Sequence, residues 1–103
     1  MAFEDDHSLE SAINFVEARG AVQVLDALLG EFQQEMDRLA GSLVRLLRAA
    51  FSEVRARVVR SLAQRWVPLP EGLKLAEKAI SDADPAVRSA AVETLRELHR
   101  AEQ

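Results

Sequence analysis

The sequence predicts an all-α protein, a short antiparallel stack of five or six helices. Three observations carry that expectation. Apolar residues recur in alternating steps of three and four along most of the chain. Ala, Leu, Arg, Glu and Val dominate, while only four Gly, three Pro, one Trp and no Tyr occur among 103 residues. That mixture favours helix and disfavours sheet. The apolar register also repeats at a fixed offset, as set out below. Hydrophobic residues at 49% and charged residues at 29% are ordinary for a globular chain. The length suits one domain, read as residues 8–103 behind an acidic tail at 1–7.

Each element has its own signal. The first helix is expected from Ser8, a capping residue, to Arg19. Leu9, Ala12, Ile13 and Val16 line one side, and Gly20 stands where a helix stop is common. From about Ala21 the positions Val22, Leu25, Leu29, Phe32, Met36 and Leu39 continue into Leu43, Leu46 and Ala50. Read without a break, this is a heptad-like seam compatible with one long helix. Gly41-Ser42 reads instead as a stop followed by a cap. The expectation is a break there, with a third helix over Ser42–Ala50. The fourth helix is expected from Ser52 to Arg65 or Trp66. Val54, Val58 and Leu62 face inward, with Val59 and Trp66 as further candidates for that face. Val67-Pro68-Leu69-Pro70 must interrupt it, because each proline lacks an N–H and restricts its predecessor. A fifth helix follows with Leu73, Ala76, Ala79 and Ile80 on one side, ending near Ser81. Asp84 then caps a last helix that has Pro85 in its first position and Val87, Ala90, Ala91, Val92, Leu95 and Leu98 as its apolar stripe.

Sliding the sequence by 33 residues superposes Val54-Arg55 on Val87-Arg88, Val58-Val59 on Ala91-Val92, and Leu62 on Leu95. One further step places Leu25 and Leu29 under Val58 and Leu62. Leu43, Leu46 and Leu47 fall under Ala76, Ala79 and Ile80. Apolar positions keep register while exposed ones do not, as in stacked helical pairs that bury their stripes against each other. The run Asp84-Pro85-Ala86-Val87-Arg88, with Ala90, Ala91 and Leu95, resembles the first helix of a HEAT repeat. The copy at 52–65 shares Val54-Arg55, Val58 and Leu62. The stretch 20–50 fits by hydrophobic register alone. The resemblance implies a helical-repeat stack with a binding role. It also implies that Asp84, Arg88 and Arg55 bond across turns as structural residues. Some lyases that attach phycobilins also resemble HEAT repeats, but no ligand-binding residue carries over.

Chemistry-bearing residues are sparse. Without cysteine there are no disulfides, thiolate chemistry or Cys-based zinc sites. His7 and His99 are far apart and make a poor metal pair. Asp82 and Asp84 lack the downstream ligands of a calcium loop and read as capping residues. Gly20, Gly30 and Gly41 are too widely spaced for a phosphate loop. No cofactor, metal, small-molecule substrate or catalytic residue is expected. The acidic N-terminus is unlike a secretory signal, and no apolar run has membrane-spanning length. A cytoplasmic location is the default expectation.

Charge is uneven beneath the net −4. Residues 1–37 hold nine acids and one arginine, and residues 38–66 hold seven arginines and one acid. These stretches could neutralise each other within the fold, pair between copies, or leave a basic face for an anionic partner. Arg45 and Arg48 share a face of the third helix, and Arg57 and Arg60 a face of the fourth. With Trp66 they are the expected exposed contacts for another protein, since Trp and Arg are favoured at interface centres. Val87, Leu95 and Leu98 join them if the last helix leaves an open end, where a second copy would dock as a homodimer. The expected function is a non-enzymatic adaptor or scaffold subunit. The alternative is phosphate-backbone binding through the arginine face at 45–65, against which stand the pI near 5.2 and the absence of interleaved aromatics.

Overall fold

A computed structural model describes residues 6–31 and 36–102, with side chains over 9–30 and 39–100. The described residues form α1 (Asp6–Arg19), α2 (Val22–Glu31), α3 (Met36–Leu46), α4 (Ser52–Ser61), α5 (Leu69–Ala79) and α6 (Pro85–Glu102), with one 3₁₀ turn at Leu62–Gln64. Phe32 and Met36 belong to the predicted seam, but the side chains of both lie outside the described region.

Helix α1 begins at Asp6, so Ser8 lies inside it rather than capping it. Gly20 ends it as expected. Its φ is +66°, a conformation open to glycine, and its N–H donates to the Val16 carbonyl at 2.8 Å. Gly41 and Ser42 do not break the chain but sit within α3. Helical continuity here keeps Leu39, Leu43 and Leu46 fully buried on one side. Each such burial contributes about 1.5–3 kcal/mol, more than the roughly 1 kcal/mol cost of a helical glycine. The single-rod alternative also fails. A straight helix through Asp26 and Arg45 would separate them by roughly 28 Å. Instead Arg45 reaches Glu17 and Asn14 on α1, the helix that packs against α2.

Helix α3 stops at Leu46, and α4 stops at Ser61 before the 3₁₀ turn. Arg65 follows in the left-handed region at φ 62°. Trp66 therefore leaves the helix path and folds beneath the turn. Its indole is buried, and Nε1 donates to Ser61 Oγ at 3.0 Å. Ser61 Oγ in turn donates to the Val58 carbonyl at 2.6 Å. Pro70 occupies the first turn of α5. Asp84 caps α6 as expected, its Oδ1 accepting from the Ala86 N–H at 2.8 Å.

The helices form two layers. In one, α4 packs between α2 and α6. In the other, α3 lies between α1, through Arg45, and α5, with which it lines a shared groove. Leu25, Leu28, Leu43, Leu46, Val54, Val58 and Leu62 fill the main core between the layers. A second cluster, Ala56, Val59, Val87, Ala90 and Ala91, closes α4 against α6. The α6 stripe is thus covered from within the chain, by α4, α5 and the 3₁₀ turn, except for Val92, which the sequence places on the stripe but which stays 40% exposed.

Candidate interaction surfaces

The arginines do not converge. Arg45 and Arg48 belong to α3, in the layer of α1 and α5. Arg57 and Arg60 belong to α4, in the layer of α2 and α6. Three of the four meet acids inside the chain. Arg45 Nε lies 3.3 Å from Glu17, and its Nη2 donates to Asn14 Oδ1 at 3.2 Å. Arg57 pairs with Asp26 at 2.5 Å, and Arg60 with Glu93 at 3.6 Å. Two of the three acids lie in the acidic N-terminal third. The charge asymmetry of the sequence is therefore partly resolved as internal pairing, one of the outcomes it allowed. Arg48 makes no ion pair among the described residues.

Trp66, Val87 and Leu98 are not exposed contacts. Their relative exposures are 6%, 1% and 2%. Trp66 is packed under the turn after α4, while α6 folds back on α4 and α5 and buries Val87 and Leu98. Leu95 is half-buried against the core. Among the described residues, the large apolar side chains that do reach solvent are Phe15, Val44, Phe51, Ile80 and Val92. Ile80 escapes its predicted stripe because α5 ends one residue before it.

Val44 matters most among these, because it borders a groove between α3 and α5. Val67 and Leu75 add apolar lining, and Lys74, Lys78, Glu71 and Glu77 supply the rim. The groove is shallow and open to solvent, with a volume of about 680 Å³. A smaller recess of about 140 Å³ continues from it, where Arg48 and Leu47 meet Lys78 and Asp82. The sequence offered a signal for this groove that went unused. Val44 and Leu75 lie off the buried stripes of their helices, yet they are apolar.

The most extensive polar network among the described residues is structural. Arg55 Nε and Nη2 donate to the two oxygens of Asp82 at 2.9 and 3.1 Å, and Nη1 donates to the carbonyls of Ala49 and Ala50 at 2.7 and 3.2 Å. The Arg55 hydrogen bond is the main cause holding the Asp82 carboxyl below its usual range. Partial burial opposes it, and the Asp84 N–H and the charges of Arg55 and Arg88 add to it. The same bond raises Arg55 above its ordinary value, again against desolvation. Arg88, 33 residues after Arg55, repeats part of this pattern: its Nη1 donates to the carbonyls of Asp82 and Ala83 at 2.8 and 3.1 Å. Arg55 and Arg88 are structural as the resemblance implied. The carboxylate that bridges the turns is Asp82, however, and Asp84 is occupied in capping α6.

Among the described residues, no group of three or more His, Asp or Glu side chains could hold a metal ion. None of the described helices is long and apolar enough to cross a membrane. No curated protein and no solved structure matches the chain. A family model described as HEAT repeats matches residues 39–103. That span covers most of α3, all of α4 to α6 and both arginine-clamped turns, so sequence, register and geometry agree: the chain belongs to the HEAT-repeat family.

Proposed function

We propose that this chain is a non-enzymatic adaptor that binds a segment of another protein along the groove between α3 and α5. HEAT repeats generally mediate protein–protein contact, which supports the binding role. The groove is the observation that carries the reading. Its apolar lining of Val44, Val67 and Leu75 is half-open to solvent, and the adjoining cations Arg48, Lys74 and Lys78 stand near Glu71 and Glu77. Such a lining suits apolar anchors flanked by charge, the usual make-up of an interface centre and rim. Arg48 is the one arginine of the expected set that adjoins this groove. The reading includes a second copy of the chain as a partner and a cytoplasmic setting.

Phosphate binding through the arginines is the weaker reading. Arg45, Arg57 and Arg60 are already paired and divided between two layers, so these arginines form no continuous basic face along which a nucleic-acid backbone could run.

The test is cross-linking of the intact chain in its native cells, wild type against Val44→Glu and Arg57→Ala/Arg60→Ala. Loss of cross-linked partners with Val44→Glu alone is expected. Equal loss with the arginine variant, together with a shift on double-stranded DNA at low salt, would transfer the role to the α4 face. A strictly monomeric mass by light scattering at high micromolar concentration would remove the self-association part.

A further inference from the structure

The groove between α3 and α5 has chain on both flanks and two unlike ends. At the Val67 end its rim carries Glu71. Lys74 and Glu77, one turn apart, offset each other between the ends. At the other end stands Lys78, where the recess begins and Arg48 supplies a second cation. Glu71 and Lys78 are both on α5, and the seven residues that separate them span about 10 Å of helix. The recess contains one carboxylate, Asp82. Both of its oxygens are taken, by Arg55 and by the Asp84 N–H. Arg48 and Lys78 are exposed and take no hydrogen bond or ion pair among the described residues. Leu47, Leu75, Val59 and Val87 give the recess apolar walls. Such walls exclude water and strengthen the pull of two cations on an anion. The recess measures about 140 Å³ against about 680 Å³ for the groove, a scale suited to one side chain entering from a segment that lies along the groove.

We infer that the recess reads a carboxylate, and that the partner segment in the groove is polarised. An acidic side chain enters between Arg48 and Lys78, an apolar side chain lies over Val44 and Leu75, and a basic side chain faces Glu71. The inference rests on the groove being the binding surface of the chain. Charge complementarity defines the occupant. The carboxylate accepts from the Arg48 guanidinium, a pairing that guanidinium groups favour, and from the Lys78 ammonium. Glu71 repels a second acid at the opposite end, so it sets the direction in which the segment lies. In an extended segment the two charges stand about three residues apart. Cations near the C-terminal ends of helices also offset the helix dipole, but that role needs neither apolar walls nor an acid at the far end.

A phage library of random dodecapeptides is the probe. It is selected on the intact protein, on Val44→Glu and on Arg48→Glu/Lys78→Glu, all of which alter exposed positions and leave the core intact. Peptides recovered on the wild type and lost on Val44→Glu are expected to carry an acidic, an apolar and a basic residue in that order or its reverse. The charge-reversed protein should recover peptides with a base in place of the acid. A synthetic peptide from the wild-type pool should bind roughly tenfold more weakly once its acid is replaced by the amide. Peptides lost on Val44→Glu but not enriched in acids would leave the groove standing as a binding surface and overturn the carboxylate assignment. A library with no peptide sensitive to Val44→Glu would remove the groove itself, and the assignment with it. Lower stability of the charge-reversed protein with an unchanged peptide preference would reduce Arg48 and Lys78 to helix-end cations and overturn the assignment too.

Discussion

The two inter-helix seams that flank α4 are built differently. Toward α6, the seam is lined by small residues, Ala56, Ala90 and Ala91, with Val59 and Val87. Close approach is then fixed by directional bonds. Arg55 forks onto Asp82, and Thr94 Oγ1 donates to the Val59 carbonyl at 3.2 Å. Toward α2, the seam is filled by bulk, Leu25, Leu28, Leu29 and Leu46 among others. Its polar link is the exposed Arg57–Asp26 pair, and its turns meet through the Phe51 ring over Gly20. A seam fixed by small residues and a charged fork leaves a legible pattern at set positions. A seam fixed by volume tolerates many side chains and leaves only register. The difference explains why the family pattern is plain after residue 52 and faint before residue 39.

Three substitutions sharpen that contrast. The largest effect is expected at Gly20. A Cβ there would stand 2.7 Å from Phe51 Cγ, on a backbone with φ +66°. Gly20→Ala should cost about 2–3 kcal/mol in urea denaturation, combining strain and overpacking. Adding Phe51→Ala should restore part of the loss, and a purely additive double mutant would disprove the ring contact as its source. Next comes Asp82→Asn, which leaves Arg55 without its charged partner at side-chain exposures of 18% and 15%. About 1–3 kcal/mol is expected at neutral pH. Because the folded Asp82 titrates below its unfolded value of about 3.9, its stabilisation is full above that pH and fades as pH falls through the folded value. Denaturation midpoints of wild type and Asp82→Asn should therefore converge below about pH 4. Parallel midpoint curves down to pH 2 would show that the carboxylate charge does not lock the seam. The smallest effect is expected for Asp26→Asn. Its pair with Arg57 is solvent-exposed on both sides, so 0–1 kcal/mol, weakened by salt, is all an exposed pair contributes (about that range in general).

Much of the fold was legible. Gly20, Asp84, Pro85 and the Pro68–Pro70 break each act through backbone chemistry confined to a few residues, so local sequence sufficed. The errors arose where distant packing decided. Gly41-Ser42 carries a stop signal, but the burial of Leu39 and Leu43 on opposite sides of it outweighs that signal. Trp66 looked like an exposed anchor because its hydrogen-bond partner, Ser61, becomes available only when the chain turns at Arg65. The arginine face divides for a similar reason: spacing places residues along one helix, but which layer each helix joins depends on the stack. The groove at Val44 escaped notice because two half-exposed apolar residues, 31 positions apart, have no signature until α3 and α5 lie side by side.

Asp82 also ties neighbouring units into one event. Its Oδ1 accepts from both Arg55 Nη2 at 3.1 Å and the Asp84 N–H at 2.9 Å, while Arg55 simultaneously holds the turn between α3 and α4 at the Ala49 and Ala50 carbonyls. The last hairpin cannot swing away without releasing the turn before it. Amide protons of α4, α5 and α6 should consequently exchange with solvent as a single cooperative block, leaving α1 and α2 free to open first.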